Sequence, residues 1–213
     1  MGGTLSVKSS LLPMTLFFLG LITLLIGACF DFLWAGGEGE KTSIVSITHK
    51  EGSADIVHGR ETRQATTGET LVRGEMVETE EGFLRLTIGE DISVILAERT
   101  TLVLENLSTQ TPAIKLSRGR MIVEQGGSSP LLIQTNFTSA DLQSGTITMV
   151  NYDFLETVMI APYPQAQAMV TVADVTFPLE RAVSVHETSE TTVSDTSPSF
   201  DFPFYTWAQE ISK

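Results

Sequence analysis

An uncharged apolar run near the N-terminus constrains this chain more than any other feature. Residues 11–30 contain no charged side chain. As an α-helix the run measures roughly 30 Å, which matches the hydrocarbon core of a bilayer. A helix satisfies its own backbone hydrogen bonds in lipid. The sequence therefore predicts a cytoplasmic tail over residues 1–10, a transmembrane signal anchor over residues 11–34 and a linker over residues 35–42.

The charges beside this run predict its orientation. Lys8 precedes it, whereas Asp31, Glu38 and Glu40 all come before the next basic residue, Lys41. Basic residues favour the cytoplasmic side of a membrane span. We therefore expect a single-pass protein of the cytoplasmic (inner) membrane, with its C-terminal domain on the extracytoplasmic side and the lipid bilayer as its first partner.

Cys29 supports an alternative interpretation of the anchor. It is the only cysteine of the chain, and the sequence Ile26-Gly27-Ala28-Cys29 is similar to a lipobox, which predicts lipidation of Cys29. A cleaved secretory signal is a further alternative, although its apolar region is usually shorter, about 7–15 residues. We favour the uncleaved anchor because the apolar character continues through Trp34. With one cysteine, an internal disulfide is excluded.

Composition narrows the classes of partner and chemistry. The chain has 13 Lys and Arg against 26 Asp and Glu, a net charge of −13. Such a surface repels phosphate backbones, so we expect no nucleic-acid partner. The histidines, His49, His58 and His186, have no partner at metal-ligand spacing, and no nucleophile or phosphate-binding motif is present. We expect no enzyme activity, no metal and no cofactor.

The sequence after the linker predicts strands almost throughout. Apolar residues alternate with polar ones, which is the period of a half-buried strand. The alternating pairs and triplets are Leu84/Leu86/Ile88, Leu102/Leu104, Ile114/Leu116, Met121/Val123 and Ile147/Met149. Further strands are predicted around residues 158–160, 169–172 and 175–177. Glycine and polar breaks recur every 8–12 residues or so, which is typical of all-β folds. We predict one all-β domain over residues 43–186.

The C-terminal part has a different character. Residues 187–199 are rich in Ser, Thr and Glu and predict a linker. An aromatic segment, residues 200–213, follows it. Two interpretations stay open for this segment: a last strand that docks on the domain, or a peptide presented to a partner. Its candidate partner contacts are Phe200, Phe202, Phe204, Tyr205 and Trp207.

Residues 54–150 resemble the FecR domain, a module of bacterial cell-envelope signalling proteins. The matching segments are Thr67-Gly68-Glu69-Thr70-Leu71-Val72-Arg73-Gly74-Glu75-Met76-Val77, Glu81-Gly82-Phe83-Leu84-Arg85-Leu86, Ile114-Lys115-Leu116-Ser117-Arg118-Gly119-Arg120-Met121 and Gly145-Thr146-Ile147-Thr148-Met149. The resemblance implies a short, twisted β-solenoid-like domain or a wrapped two-sheet body. Glycines would serve as structural turn residues where the chain reverses: Gly68, Gly74, Gly82, Gly119 and Gly145.

This resemblance implies a binding function. We expect a membrane-anchored, extracytoplasmic, non-catalytic interaction module whose partner is an envelope protein or glycan. Family members that regulate sigma factors carry a sizeable cytoplasmic region, whereas ten residues precede the apolar run here. One alternative is therefore a transmembrane signalling system with a separate cytoplasmic partner. A calcium- or glycan-binding structural module is another. The sequence predicts neither the oligomeric state nor the identity of the partner.

Overall fold

The computed structural model describes residues 41–163, 166–188 and 190–194. These residues form fourteen strands and one 3-10 helix, without an α-helix. Within them, no helix is long and apolar enough to span a bilayer. Residues 11–34, predicted as the anchor, lie outside this part of the chain, as do Cys29 and the aromatic segment 200–213.

Strand propensity explains why the described chain forms sheet. Val, Ile, Leu and Thr dominate the elements, and such residues pack well on a pleated surface. The strands are, in chain order, β1 (Val45–His58), β2 (Glu61–Gln64), β3 (Thr70–Leu71), β4 (Met76–Ile88), β5 (Ile92–Leu96), β6 (Thr101–Asn106), β7 (Ala113–Gln125), β8 (Leu131–Gln134), β9 (Thr138–Tyr152), β10 (Thr157–Pro162), β11 (Gln167–Val172), β12 (Val175–Pro178), β13 (Ala182–His186) and β14 (Thr191–Ser194). The 3-10 helix Asp153–Leu155 follows β9. The predicted all-β class is confirmed for these residues.

The strands pair into one 14-stranded sheet. Its main path runs β14-β13-β10-β9-β8-β7-β5-β4-β1-β2, with β3, β6, β11 and β12 attached beside it. Among the described pairs, only β7 and β8 run parallel. Neighbouring strands are thus mostly antiparallel, and four of them, β1, β4, β7 and β9, are 13 to 15 residues long.

The alternating apolar residues form the core as predicted. Leu84, Leu86 and Ile88 on β4 are buried, as are Leu102 and Leu104 on β6 and Ile147 and Met149 on β9. The alternating pairs of β7 and the valines of β10 and β13 complete the same cluster. At about 25 cal/mol per Å² of apolar area removed from water, this burial is the main stabilising term of the fold.

Three of the predicted turn glycines do not reverse the chain. Gly82, Gly119 and Gly145 lie inside β4, β7 and β9, so each pair of short strands predicted around them is one long strand. All three have positive φ, +83°, +99° and +89°. A glycine with positive φ lets a long strand bend where an L-residue would be strained. These glycines explain why the sequence pattern is interrupted there.

The predicted linker also differs from the structure at one point. Residues 191–194 form β14, which pairs with β13 between Ala182↔Ser194 and Val185↔Thr191. The Ser/Thr-rich composition of this segment suits an edge strand, because Thr is β-branched. Residues 191–194 of the predicted linker are therefore a strand.

Candidate functional site

An open groove of about 840 Å³ is the candidate functional site. Its lining comes from residues 78–81 on β4, 98 and 99 in the turn between β5 and β6, 118–120 on β7, 150–152 at the end of β9, and Phe154. We refer to this surface as the groove. Its volume falls in the usual range for ligand sites, roughly 300–1,000 Å³.

Strand register brings these distant segments together. Glu78 on β4 pairs with Thr101 on β6, and Thr101 pairs in turn with Arg118 on β7. One residue further along β7, Gly119 pairs with Asn151 on β9. Consecutive antiparallel neighbours lie about 4.7–4.9 Å apart, so four strands place these side chains along one concave surface.

Two buried threonines tie the floor of the groove together. The Thr79 hydroxyl donates to the Ala97 carbonyl at 2.5 Å and accepts from the Thr100 amide at 2.9 Å. The Thr100 hydroxyl donates to the Arg120 carbonyl and accepts from the Arg120 amide, both at 3.1 Å. These bonds link β4, the β5–β6 turn and β7 where regular ladder pairing is interrupted.

Gly119 allows the turn to approach β7 closely. A Cβ atom on Gly119 would lie 2.5 Å from Thr100 Cα and 2.8 Å from the Arg99 carbonyl oxygen. The backbone of Arg99 has φ +54°, a left-handed conformation that residues other than glycine rarely adopt. The absence of a side chain at Gly119 therefore fixes where Arg99 sits on the rim of the groove.

Asn151 supports the same region from the other side. Its buried side-chain amide donates to the Ser117 carbonyl at 2.7 Å and to the Leu116 carbonyl at 3.4 Å. The register shift between β6 and β7 lies at this position. The amide thus satisfies carbonyls that the irregular ladder leaves free, directly beside Arg118.

The walls of the groove carry opposite charges. The β4 wall supplies the carboxylates of Glu78, Glu80 and Glu81, whereas β7 and the β5–β6 turn supply the guanidinium groups of Arg99, Arg118 and Arg120 together with Glu98. Within the groove the Arg120 and Glu98 side chains approach to 4.0 Å. The groove therefore presents carboxylate acceptors along β4 and mainly guanidinium donors on the opposite side, where Glu98 stands among three arginines.

An exposed aromatic residue stands at one end of the groove. Phe154, in the 3-10 helix, is 83% exposed, and the neighbouring Leu155 is 57% exposed. The Tyr152 ring meets the Phe154 ring edge-to-face, with 6.3 Å between centroids. An aromatic side chain left in water beside a cavity is a typical anchor for a binding partner.

The segment that carries the clearest part of the FecR resemblance has a structural role. Thr66–Glu69 and Val72–Glu75 form two successive turns of the same design. In each, a glycine with positive φ (Gly68 or Gly74) precedes a glutamate whose carboxylate accepts from the backbone N–H of the residue three positions earlier. Repetition of this turn explains the repeated Gly-Glu pattern in the sequence.

Arg63 joins the two turns. Its guanidinium donates to Glu69 at 2.7 Å and lies 2.7 Å from the carboxylate of Glu75, which is almost completely buried. Hydrogen bonds to Glu69 and then to Glu75 raise the pKa of Arg63 above its ordinary value. Burial alone would raise the pKa of Glu69, but hydrogen bonds from Arg63 and Thr66 outweigh it and hold that pKa below its ordinary value. This network lies outside the groove.

The structure places the predicted site residues in different locations. The five predicted glycines all have positive φ, and of these only Gly119 lines the groove. Cys29 and the aromatic residues of segment 200–213 lie outside the described residues. The acidic residues Glu78, Glu80 and Glu81 line the groove. Reasoning from the sequence missed the arginines and Phe154.

A signal for these missed residues does exist. One arginine stands on each side of a glycine in Arg118-Gly119-Arg120. Two apolar residues stand between two acidic ones in Asp153-Phe154-Leu155-Glu156, after a predicted strand. Neither pattern is specific by itself. In residues 41–163, 166–188 and 190–194, no group of three or more His, Cys, Asp or Glu side chains is arranged to hold a metal ion.

Comparison with known proteins adds information on the fold. No protein-family model and no curated protein sequence matches the chain. Two crystal structures of candidate anti-sigma factors from Parabacteroides distasonis are similar to it. One, at 2.50 Å resolution, has a TM-score of 0.49 and 12% sequence identity, over 56% of this chain and 58% of that protein.

The other crystal structure, at 1.65 Å resolution, has a TM-score of 0.53 and 11% identity, over 63% of this chain and 64% of that protein. The chain thus matches less than two thirds of the length of either protein. At this level of identity, the second comparison shows a similar fold over the matched region.

Proposed function

We propose that this chain is a non-catalytic binding module of a bacterial cell-envelope signalling system, with a FecR-like domain that is held at the inner membrane on the extracytoplasmic side. The observation that carries the proposal is the exposed Phe154 at the end of a groove with charged walls. The fold shared with a candidate anti-sigma factor supports the connection to signalling.

The groove has the properties of a recognition surface. Aromatic anchors supply most of the binding energy of many interfaces, and charged groups around them select the partner. Phe154 and Leu155 supply the anchor, and the arginines and glutamates supply the selection. The strands, the β5–β6 turn and the 3-10 helix set the backbone positions of these groups, which limits the ordering entropy lost when a partner binds.

The membrane location rests on the sequence. Residues 11–34 have the length and apolar character of an anchor, and the charges around them favour an extracytoplasmic domain. Lipidation of Cys29 is the alternative means of attachment. Mass measurement of the mature wild-type protein and of Cys29→Ala separates the two: a lipid-sized difference between them supports lipidation, and equal processing supports the anchor.

Photo-crosslinking in intact cells tests the binding function. A photoreactive phenylalanine analogue replaces Phe154 in one full-length variant and Val175 in another. Val175 is 64% exposed on β12 and does not line the groove, which makes it a matched control. We expect light-dependent products with Phe154 and none with Val175. Equal products at both positions, or none at Phe154, would contradict the proposal.

A second candidate function is regulation of a sigma factor through a separate cytoplasmic partner. The fold similarity to a candidate anti-sigma factor favours it. In this case the predicted membrane helix carries the signal, and Gly20, Thr23 and Gly27 have the spacing of a helix-packing surface. Replacing these three residues by leucine would then change the transcription of a defined gene set. Unchanged transcription would remove this candidate and leave the binding function intact.

A further inference from the structure

We infer that the groove binds a neutral oligosaccharide, which names the class of ligand for the binding function proposed above and rests on it. The groove combines three features that suit a sugar chain: walls with opposite hydrogen-bonding character, an exposed aromatic ring at one end, and an open shape. Each feature follows from residues that the structure describes.

The two walls of the groove offer different hydrogen-bonding groups. Carboxylates only accept hydrogen bonds, and guanidinium groups only donate them. The β4 wall supplies acceptors from Glu78, Glu80 and Glu81, and the opposite side supplies donors from its three arginines beside the single carboxylate of Glu98. A hydroxyl group donates and accepts, so a polyhydroxylated ligand can pair with both walls at once. A ligand with one charge sign would be repelled by one of the two walls.

The charge of the whole chain favours a neutral ligand over an acidic one. The net charge is −13, and the groove itself holds four glutamates with three arginines. An anionic chain would therefore approach against the field of the protein. A basic ligand would meet the arginines at the β5–β6 turn and on β7. A neutral ligand avoids both penalties.

The exposed ring of Phe154 offers a stacking surface for a sugar. At 83% exposure its ring is free to be covered, and the edge-to-face contact with Tyr152 holds it in position. The apolar C–H face of a sugar ring can stack on such a ring while its hydroxyl groups turn toward the polar walls. We expect the loss of such a contact to weaken binding about tenfold, which corresponds to about 1.4 kcal/mol.

The groove is open to solvent and suits an extended ligand. Segments of three strands, the β5–β6 turn and the 3-10 helix line the groove, and its volume is about 840 Å³. A groove that is open to solvent accepts an internal stretch of a long chain, whereas an enclosed pocket accepts only a chain end or a small molecule. Envelope glycans are long chains, so this geometry fits the proposed location.

Calorimetric titration of the full-length chain tests the inference. The protein is held in a detergent without a sugar headgroup and titrated with three hexasaccharides: chitohexaose, cellohexaose and hexagalacturonate. We expect one of the two neutral chains to bind, Phe154→Ala to weaken that binding about tenfold, and Val175→Ala to leave it unchanged. Because no net charge is paired, raising the salt from about 50 mM to about 500 mM should change the affinity less than twofold or so.

Three results would overturn the inference: no heat with either neutral chain, binding of hexagalacturonate alone, or equal affinity of Phe154→Ala and wild type. The photo-crosslinking experiment separates its failure from that of the proposed function. A protein captured at Phe154 without oligosaccharide binding leaves the binding function standing and removes the glycan. The absence of both results removes both.

Discussion

Gly119 and Thr100 are in such close contact that a side chain on Gly119 would overlap Thr100. The Cα atom of Thr100 lies 2.5 Å from where a Cβ atom of Gly119 would be, and Gly119 has φ +99°. This contact joins β7 to the β5–β6 turn, and the turn presents Arg99 to the groove. The geometry of one wall of the groove thus depends on a missing side chain.

We predict that Gly119→Ala lowers the free energy of unfolding by about 2–4 kcal/mol. The added methyl group combines the strain of a left-handed alanine with a clash against backbone that cannot easily move. Gly74→Ala is the matched control, because Gly74 also has positive φ (+84°) but no atom lies within 4 Å of its Cβ position. We expect it to lose only about 1–2 kcal/mol. Urea denaturation of both variants measures the difference, and equal losses would contradict the role of the contact.

The Thr79 hydroxyl gives the second prediction. Thr79→Val keeps the shape of the side chain but leaves the Ala97 carbonyl and the Thr100 amide without their partner in a buried position. Buried polar groups without partners destabilise a fold by about 1–3 kcal/mol. Thr48→Val is the control, since Thr48 is exposed and donates at 3.3 Å to the Arg85 carbonyl. Thermal unfolding should show a clear loss for Thr79→Val and a change within about 0.5 kcal/mol for Thr48→Val.

The strands themselves could be predicted because burial leaves a period of two in the sequence. Leu84, Leu86 and Ile88 alternate with polar residues, and the structure buries all three on β4. The prediction was wrong where a glycine interrupts the pattern. Gly82 faces Gly52 across β1 and β4, and both have positive φ. A bend inside a strand and a reversal between strands leave the same local signal, and only the pairing partner distinguishes them.

The groove could not be predicted, because register rather than local sequence creates it. Glu78 and Arg118 are forty residues apart in the numbering and become near neighbours only through Thr101 on β6. The period of a strand shows which face a residue occupies. It does not show which strand lies beside it, so the sequence could not bring the β4 glutamates and the β7 arginines together in one site.

Arg63 gives a pH-dependent prediction. The pKa of Glu69 is lowered in the folded state, so its ionised form stabilises the fold above the ordinary value of 4.5, and this contribution is lost as the pH falls through the folded pKa. Arg63→Gln removes the main hydrogen bond that outweighs burial. We expect the variant to be less stable than wild type near neutral pH, with the gap closing in acid as the pH falls through the lowered pKa of Glu69.

Arg60→Gln is the control for this experiment, because Arg60 is exposed on the same hairpin and belongs to no ion pair among the described residues. Thermal unfolding of the three proteins across the acidic range gives the comparison. A gap between wild type and Arg63→Gln that stays constant with pH would show that packing, and not the ion pair, accounts for the loss.

The turn that carries Phe154 and Leu155 ends at Glu156, whose carboxyl group contacts that of Glu187. The pKa of Glu187 is raised, whereas that of Glu69 is lowered. A hydrogen bond with Glu156, followed by the repulsion of its charge, raises the pKa of Glu187 above its ordinary value. A raised pKa means that this carboxyl group stabilises the fold fully below the unfolded pKa and loses that contribution as the pH rises through the folded pKa. Removing the charge with Glu156→Gln should therefore make the protein slightly more stable than wild type near neutral pH, and the gain should vanish in acid.

Glu61→Gln, on the exposed strand β2, is the control and should show no such trend in the same thermal unfolding series. Since the Glu187 amide also donates to the Glu156 carbonyl at 2.9 Å, the backbone contact remains in the variant. A gain that does not depend on pH would contradict the hydrogen bond between the two carboxyl groups as its source.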